Sequence, residues 1–190
     1  MTIPTSNVRK RCVPSTIGEN IETLTNQSAA GAITVGIDNA PKWQRDNKYI
    51  VRGYRPGNTG CLDVVKSLTF LHNETCNIYT HLIGTLLLPL LAISFLQVLS
   101  EPQFSSVSGK DYVVLGTFFW SAECCLVFST IYHLVGCYSY DVEQFWLRMD
   151  LLGIVAVIVG TSIPGIYYAF ACEPSLQRLH WTIVRHICSS

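Results

Sequence analysis

The sequence predicts an all-α integral membrane protein with three membrane-crossing helices, and three observations carry that prediction. Of its 190 residues 49% are apolar and only 14% charged, a balance unlike that of ordinary soluble domains. The charges also fall in blocks. No Asp, Glu, Lys or Arg occurs from Thr75 to Ser100 or from Leu151 to Cys172, and only Glu123 occurs from Tyr112 to Tyr140. Each run exceeds the ~20 residues that a helix needs to cross the hydrocarbon core. The zero formal net charge is the sum of these blocks and gives no reason to expect nucleic acid as a partner.

Three regions follow. Residues 1–47 are rich in Ser, Thr, Asn and Gly, have Trp43 as their one aromatic residue and show no periodicity; a disordered tail is expected. Within it Arg9-Lys10-Arg11 is either solvated or drawn to anionic lipid. Residues 48–77 hold a turn at Arg55-Pro56-Gly57. There Cys61, Val64, Val65, Leu68 and Leu71 recur at helical spacing, as in an amphipathic helix lying in the membrane interface or packing beside it. Asn73 and Thr75 are capping residue types, and Glu74 suits a helix N-terminus by its charge. Residues 78–190 carry the spans, expected at about 78–99, 112–135 and 151–172. Pro89 should kink the first. Glu123 lies near the middle of the second, about 80° around a helix from His133, so it borders the same interior face. A carboxyl at that depth must be protonated or paired. Gly153, Ala156 and Gly160 give the third span small residues for close helix association, and Tyr167 and Tyr168 suit an interfacial belt.

Nine of the thirteen Lys and Arg residues precede the first span, whereas the loop after it has only Lys110. The positive-inside bias therefore places the N-terminus in the cytosol, in the plasma membrane or an endomembrane. No apolar leader segment occurs near Met1, so the first span is expected to direct insertion. Asn26-Gln27-Ser28 and Asn73-Glu74-Thr75 match a glycosylation pattern but fall on the cytosolic side. The eight cysteines form no metal-type CxxC pair, and their placement argues against a disulfide framework. Cys61 and Cys76 sit where a lipid anchor is chemically possible.

Polar chemistry gathers between the second and third spans. Ser129 and His133 are four apart and share a helix face. Asp150 opens the next apolar run, after a connecting loop with Asp141, Glu143 and Arg148. All three groups then meet one membrane surface. Ionisable groups inside a helical bundle are functional candidates because burying them is costly; alternatively, His133 and Asp150 reach for headgroup water. His72 and His81 are nine apart, about 900° of helical rotation, and so fall on opposite faces of a continuous helix, which favours structural hydrogen bonding over shared ligation. From Leu179 to Cys188 a further apolar run begins, but Arg185 and His186 interrupt it, and about ten residues cannot cross a bilayer. It reads as an interrupted fourth span.

The ordered set of Gly53-Tyr54-Arg55, His72-Asn73-Glu74-Thr75, Asn77-Ile78, Thr80-His81-Leu82-Ile83-Gly84, Ser129 to His133, Asp150 with Gly153-Ile154, and Tyr167 to Cys172 resembles the progestin and adipoQ receptor family. That family includes adiponectin receptors and haemolysin-III-like proteins. The resemblance implies a seven-helix fold with a cytosolic N-terminus and a zinc ion near the cytosolic surface. By the same resemblance His133 is a zinc ligand, Asp150 holds the zinc-bound water, and Ser129 belongs to the second-helix motif. A metal-bound water beside a carboxylate is the apparatus of metal-assisted hydrolysis. The implied functions are thus receptor signalling in lipid or zinc homeostasis, or ceramidase-like amide hydrolysis, with membrane lipid, a sterol or a ceramide as ligand. The family's seventh-helix HxxxH pair has no counterpart in these residues. A third possibility is a non-catalytic helical fragment that associates with other membrane helices.

Overall fold

The computed structural model describes residues 33–45 and 47–189. The Arg9-Lys10-Arg11 cluster, the Asn26 glycosylation pattern and most of the expected tail lie outside the described residues. Two short strands, β1 (Val35–Gly36) and β2 (Arg52–Tyr54), precede five α-helices: α1 (Cys61–Lys66), α2 (Thr75–Leu99), α3 (Gly109–Val135), α4 (Tyr140–Ala169) and α5 (Pro174–Ser189). Helices α2, α3 and α4 are long and apolar enough to cross a membrane. Their extensive exposed apolar surface, for example Leu86, Leu90, Leu91, Val155 and Ile158, suits contact with lipid rather than water.

Local chemistry sets where the helices begin. Ser108 and Asp111 form a capping box at α3, with the Ser108 amide donating to Asp111 Oδ2 at 2.8 Å, which satisfies otherwise orphaned donors. Helix α4 starts at Tyr140, not near residue 151. The Ser139 side chain accepts from the Val142 amide at 3.4 Å, and Asp141 and Glu143 occupy the first turn, where negative charge meets the positive end of the helix dipole. The segment expected as a polar loop thus supplies three turns of helix, and Asp150 lies on the third of them. Hydropathy marks where lipid begins, and caps mark where helix begins.

Helix α3 is central, packed most extensively on α4 and then on α2. The expected small-residue seam does this work. A Cβ on Gly153 would lie 2.9 Å from the Cys125 Cα, and one on Gly160 would collide with the Ser121 side chain. Gly84 similarly lets α2 approach Leu126 of α3. At the opposite end from His133, the Tyr168 hydroxyl donates to Asp111 Oδ1 at 3.0 Å and ties α4 to α3. Glu123 does not join the His133 cluster. It sits in a groove of about 350 Å³ between α2 and α3, with Leu88, Pro89, Phe119 and Trp120, and its Oε2 is buried without a hydrogen-bond partner.

Residues 33–60 form a folded cap at the His133 end, in contrast to the disordered tail expected through residue 47. Strands β1 and β2 pair antiparallel, Val35 opposite Tyr54, over a small core of Val35, Ala40 and Tyr54. Trp43 donates from Nε1 to the Gly136 carbonyl at 3.3 Å and meets the Tyr140 ring edge-on at 6.0 Å. Thr59 donates to the Cys137 carbonyl at 3.2 Å. Strands this short leave no alternation for a sequence pattern to register. The amphipathic helix is α1, continued by a 3-10 turn at Ser67–Thr69. It buries Val64 and Ser67, while Leu62, Val65 and Leu71 remain exposed.

Candidate functional site at the His133 end

Arg55 organises this end of the bundle. Its side chain is 3% exposed. Nη1 donates to the Leu134 carbonyl at 2.7 Å and to Ser67 Oγ at 3.2 Å, and Nη2 donates to the His133 carbonyl at 2.6 Å. The last carbonyls of α3 have no intrahelical partner, and a guanidinium satisfies two of them at once where the helix dipole is negative. Burial pulls the Arg55 pKa down, against the opposing influence of Cys137 and Glu74. A turn delivers Arg55 to this position. Gly53 adopts φ +89°, a conformation suited to glycine, and its carbonyl accepts from the Asn73 amide at 2.8 Å. The Gly53-Tyr54-Arg55 motif is therefore a backbone latch followed by a buried cation.

That latch also fixes the start of α2. The His72 amide donates to Thr75 Oγ1 at 2.8 Å, and the Glu74 amide donates to His72 Nδ1 at 3.1 Å. His72 must be neutral to accept that bond. Burial, reinforced by the Arg55 charge, pushes its pKa down to about 4, with Glu74 and a bond donated to the Ser67 backbone carbonyl opposing. Glu74 itself reaches across to α3. Its Oε2 lies 2.8 Å from His133 Nδ1, while Asn77 Nδ2 donates to Oε2 at 2.9 Å and Asn73 Nδ2 to Oε1 at 2.7 Å. Burial alone raises a carboxyl's pKa, but the bonds from His133 and Asn77, with the charges of His133 and Arg55, outweigh it and hold Glu74 below its ordinary value. An ionised carboxylate only accepts, so the Nδ1 proton of His133 is donated to Glu74 and Nε2 is the ring nitrogen turned away from that bond.

The structure brings two of the three expected site residues together and adds others. Ser129 is buried and lies 2.7 Å from His81 Nδ1, and the His81 and His133 rings stand 6.0 Å apart. His72 and His81 were expected on opposite faces of one continuous helix. Instead, α2 begins at Thr75, so His72 precedes the helix and the rotation counted between the two histidines does not apply. His81 alone faces α3. Asp150 does not enter the hydrogen-bonded group. The register set by Gly153 on Cys125 puts it near the depth of Ser129. Among the described residues no hydrogen bond joins Asp150 to Ser129 or His133. Arg55, Glu74, Trp43 and Glu143 escaped sequence reasoning. The signal for Glu74 was present in its position before the first span, but a helix-cap role accounted for it equally well.

Between cap and bundle lies a cavity of about 40 Å³ lined by Trp43, Arg55, Glu74, Tyr132, His133 and Glu143, with Gln44 and Asn73. Three polar atoms of its walls, Gln44 Nε2, Arg55 Nε and Asn73 Oδ1, are buried without a partner in the protein. The lining residues thus carry both donors and acceptors without a protein partner, a composition and size suited to a few water molecules.

A zinc ion fits this site only in part. A histidine whose Nδ1 proton is held by a carboxylate presents a basic Nε2 to a metal, and His133 meets that description. Yet among the described residues no three His, Cys, Asp or Glu side chains converge on a point where a metal can be held, and a catalytic zinc takes three protein ligands. Of the three ligands such a zinc takes, these residues would supply one, His133 Nε2.

Fold and site define an integral membrane helical protein with a capped histidine–carboxylate cluster at one end of its bundle. Residues 69–189 match the haemolysin-III related family, and the chain belongs to that family. It is 33% identical over 146 residues to an adiponectin receptor protein of Drosophila melanogaster, 77% of this chain and 32% of that one. It is 36% identical over 144 residues to progestin and adipoQ receptor-like protein 1 of Caenorhabditis elegans, 75% of this chain and 32% of that one. With progestin and adipoQ receptor family member 3 of Mus musculus it shares 35% identity over 137 residues, 72% and 43% of the two chains. The chain thus spans 32–43% of the length of these relatives.

Proposed function

We propose that this chain is the His133-bearing part of a membrane receptor of the adiponectin-receptor type, with a zinc centre at the cytosolic end of the bundle to which His133 supplies one nitrogen. The observation that carries the reading is the 2.8 Å contact between Glu74 and His133 Nδ1, which leaves Nε2 as the free ligand atom in a chain whose relatives are named as receptors. When bound, zinc supplies Lewis acidity. The chain's own residues orient and enclose. Glu74 holds the imidazole, Arg55 holds the backbone that carries it, and the Trp43 side of the cap covers the site. Signalling in lipid or zinc homeostasis, and a sterol, ceramide or other lipid ligand, belong to the whole protein. Cytosolic orientation is supported by the concentration of Lys and Arg before α2, Arg52, Arg55 and Lys66 among them, at the His133 end.

The test is metal analysis of the chain purified in detergent. With a single histidine corner it should hold well under one zinc per chain, hydrolyse no ceramide, and change little on His133→Ala. One zinc per chain, lost on His133→Ala, would show that the chain completes a site by itself, for instance between copies.

A further inference from the structure

Helix α3 has a face that its contacts with α2 and α4 leave open. Leu126 of α3 meets Gly84 of α2, and Cys125 and Ser121 meet the glycines of α4. Counted around α3 from Leu126, Ser129, Cys125 and Ser121 lie about 60–140° to one side. Glu123, Gly116, Trp120 and Val113 lie about 60–140° to the other, so their stripe faces away from Ser129 and α4. Trp120 and Val113 are 73% and 66% exposed, and a Cβ on Gly116 would meet nothing within 4 Å. We propose that this stripe binds a second copy of the chain. The two copies pair about a two-fold axis along the membrane normal, with Glu123 facing Glu123.

Glu123 demands a partner. Its Oε2 is buried without a hydrogen bond, and an unpaired polar group surrounded by hydrocarbon is costly. Depth limits what can pair with it. Helix α3 runs from Gly109 to Val135, which leaves Glu123 about 18–21 Å from either end. Water and lipid headgroups stay near those ends, whereas the side chains of another membrane helix reach this level. The groove beside Glu123 admits such a helix, because Pro89, Ala92 and Gly116 are among its walls and small residues let helices approach closely. Symmetry selects the helix. Copies of one chain insert the same way up, so their two-fold axis stands along the membrane normal and each level of the stripe meets itself. A neutral carboxyl both donates and accepts, so two of them satisfy each other, and nothing else on the stripe is charged. Gly116 and Trp120 are one turn apart, ~6 Å of rise, which lets the indole of one copy fill the space over the glycine of the other. The carboxyl that burdens a single chain thus fixes the register of the pair.

The whole chain in phosphatidylcholine vesicles tests this by energy transfer between copies carrying donor or acceptor on an N-terminal tag, with the native cysteines kept. Transfer should persist as lipid dilutes the protein and rise linearly with the acceptor fraction, as a dimer requires. Glu123→Leu should weaken the pairing about tenfold. Glu123→Gln should keep it, since an amide also donates and accepts. Gly116→Ile should block the approach, whereas Gly165→Ile, on an open stretch of α4, should leave pairing unchanged. Melts in detergent separate lost pairing from lost fold, because Glu123→Leu relieves the single chain and its melting temperature should not fall. Monomers at every dilution would leave the groove to lipid or to a foreign helix and would overturn the proposal. So would pairing that survives both Glu123→Leu and Gly116→Ile, which would put the interface on another face. Loss of pairing in Glu123→Gln to the same extent as in Glu123→Leu would overturn the contact of like with like.

Discussion

Arg55 joins the segment after β2 to Ser67 and to the last turn of α3, and its removal has a calculable direction. Arg55→Met leaves the His133 and Leu134 carbonyls without their charged donor, each such bond being worth roughly 1.5–3 kcal/mol. The melting temperature of the chain in detergent should drop clearly. Arg55→Lys should recover only part of the loss, since one ammonium does not reproduce the fork that reaches two carbonyls and Ser67. Glu123 should behave in the opposite way. Its Oε2 is buried and unpartnered, so Glu123→Leu removes a desolvated polar group from an apolar groove and should raise the melting temperature. His72 makes a prediction in pH. Its pKa is about 4 in the fold against an ordinary ~6.5, so below pH ~6.5 the unfolded chain binds the extra proton. Its contribution is then fully present above that pH and is lost as pH falls from ~6.5 towards 4. A melt series across that window should show a decline that His72→Gln flattens.

At the scale of elements the small-residue seam between α3 and α4 is the sharpest test of the packing. Gly160→Ala forces a methyl into Ser121, and overpacking of this kind costs about 1–3 kcal/mol. Pairing it with Ser121→Gly should restore most of the loss, because that change removes the Cβ and Oγ in the way. Gly165→Ala, whose Cβ would meet nothing within 4 Å, should cost nothing and serves as the control. Rates of limited proteolysis in detergent would rank the three. The seam was readable in the sequence because Gly153 and Gly160 lie seven apart, which on a helix is one face. The start of α4 was not readable, because Asp141, Glu143, Arg148 and Asp150 make a polar stretch that hydropathy assigns to a loop, whereas the Ser139 cap and the helix dipole make it helix.

Across the whole molecule the cap and the His133 cluster share one end of the bundle, the end that the proposed orientation puts in the cytosol. Labelling a cysteine introduced at an exposed cap position, such as Tyr49, should therefore need permeabilised cells, whereas one at Ser105 should react in intact cells. The reverse pattern would overturn the orientation.

The sequence by itself determined that the chain is a membrane protein, the three spans among the described residues, the family, and that Ser129 and His133 share a face, because hydropathy runs and helical spacing are local properties of the chain. Only the tertiary structure decided that Glu74 holds His133, that His81 rather than Asp150 closes on Ser129, and that Arg55 seals the end of α3. These contacts link residues 48 to 79 positions apart. No periodicity reports which of several polar groups a helix rotation will turn inward. Burial makes each such group find a partner, but packing chooses which one.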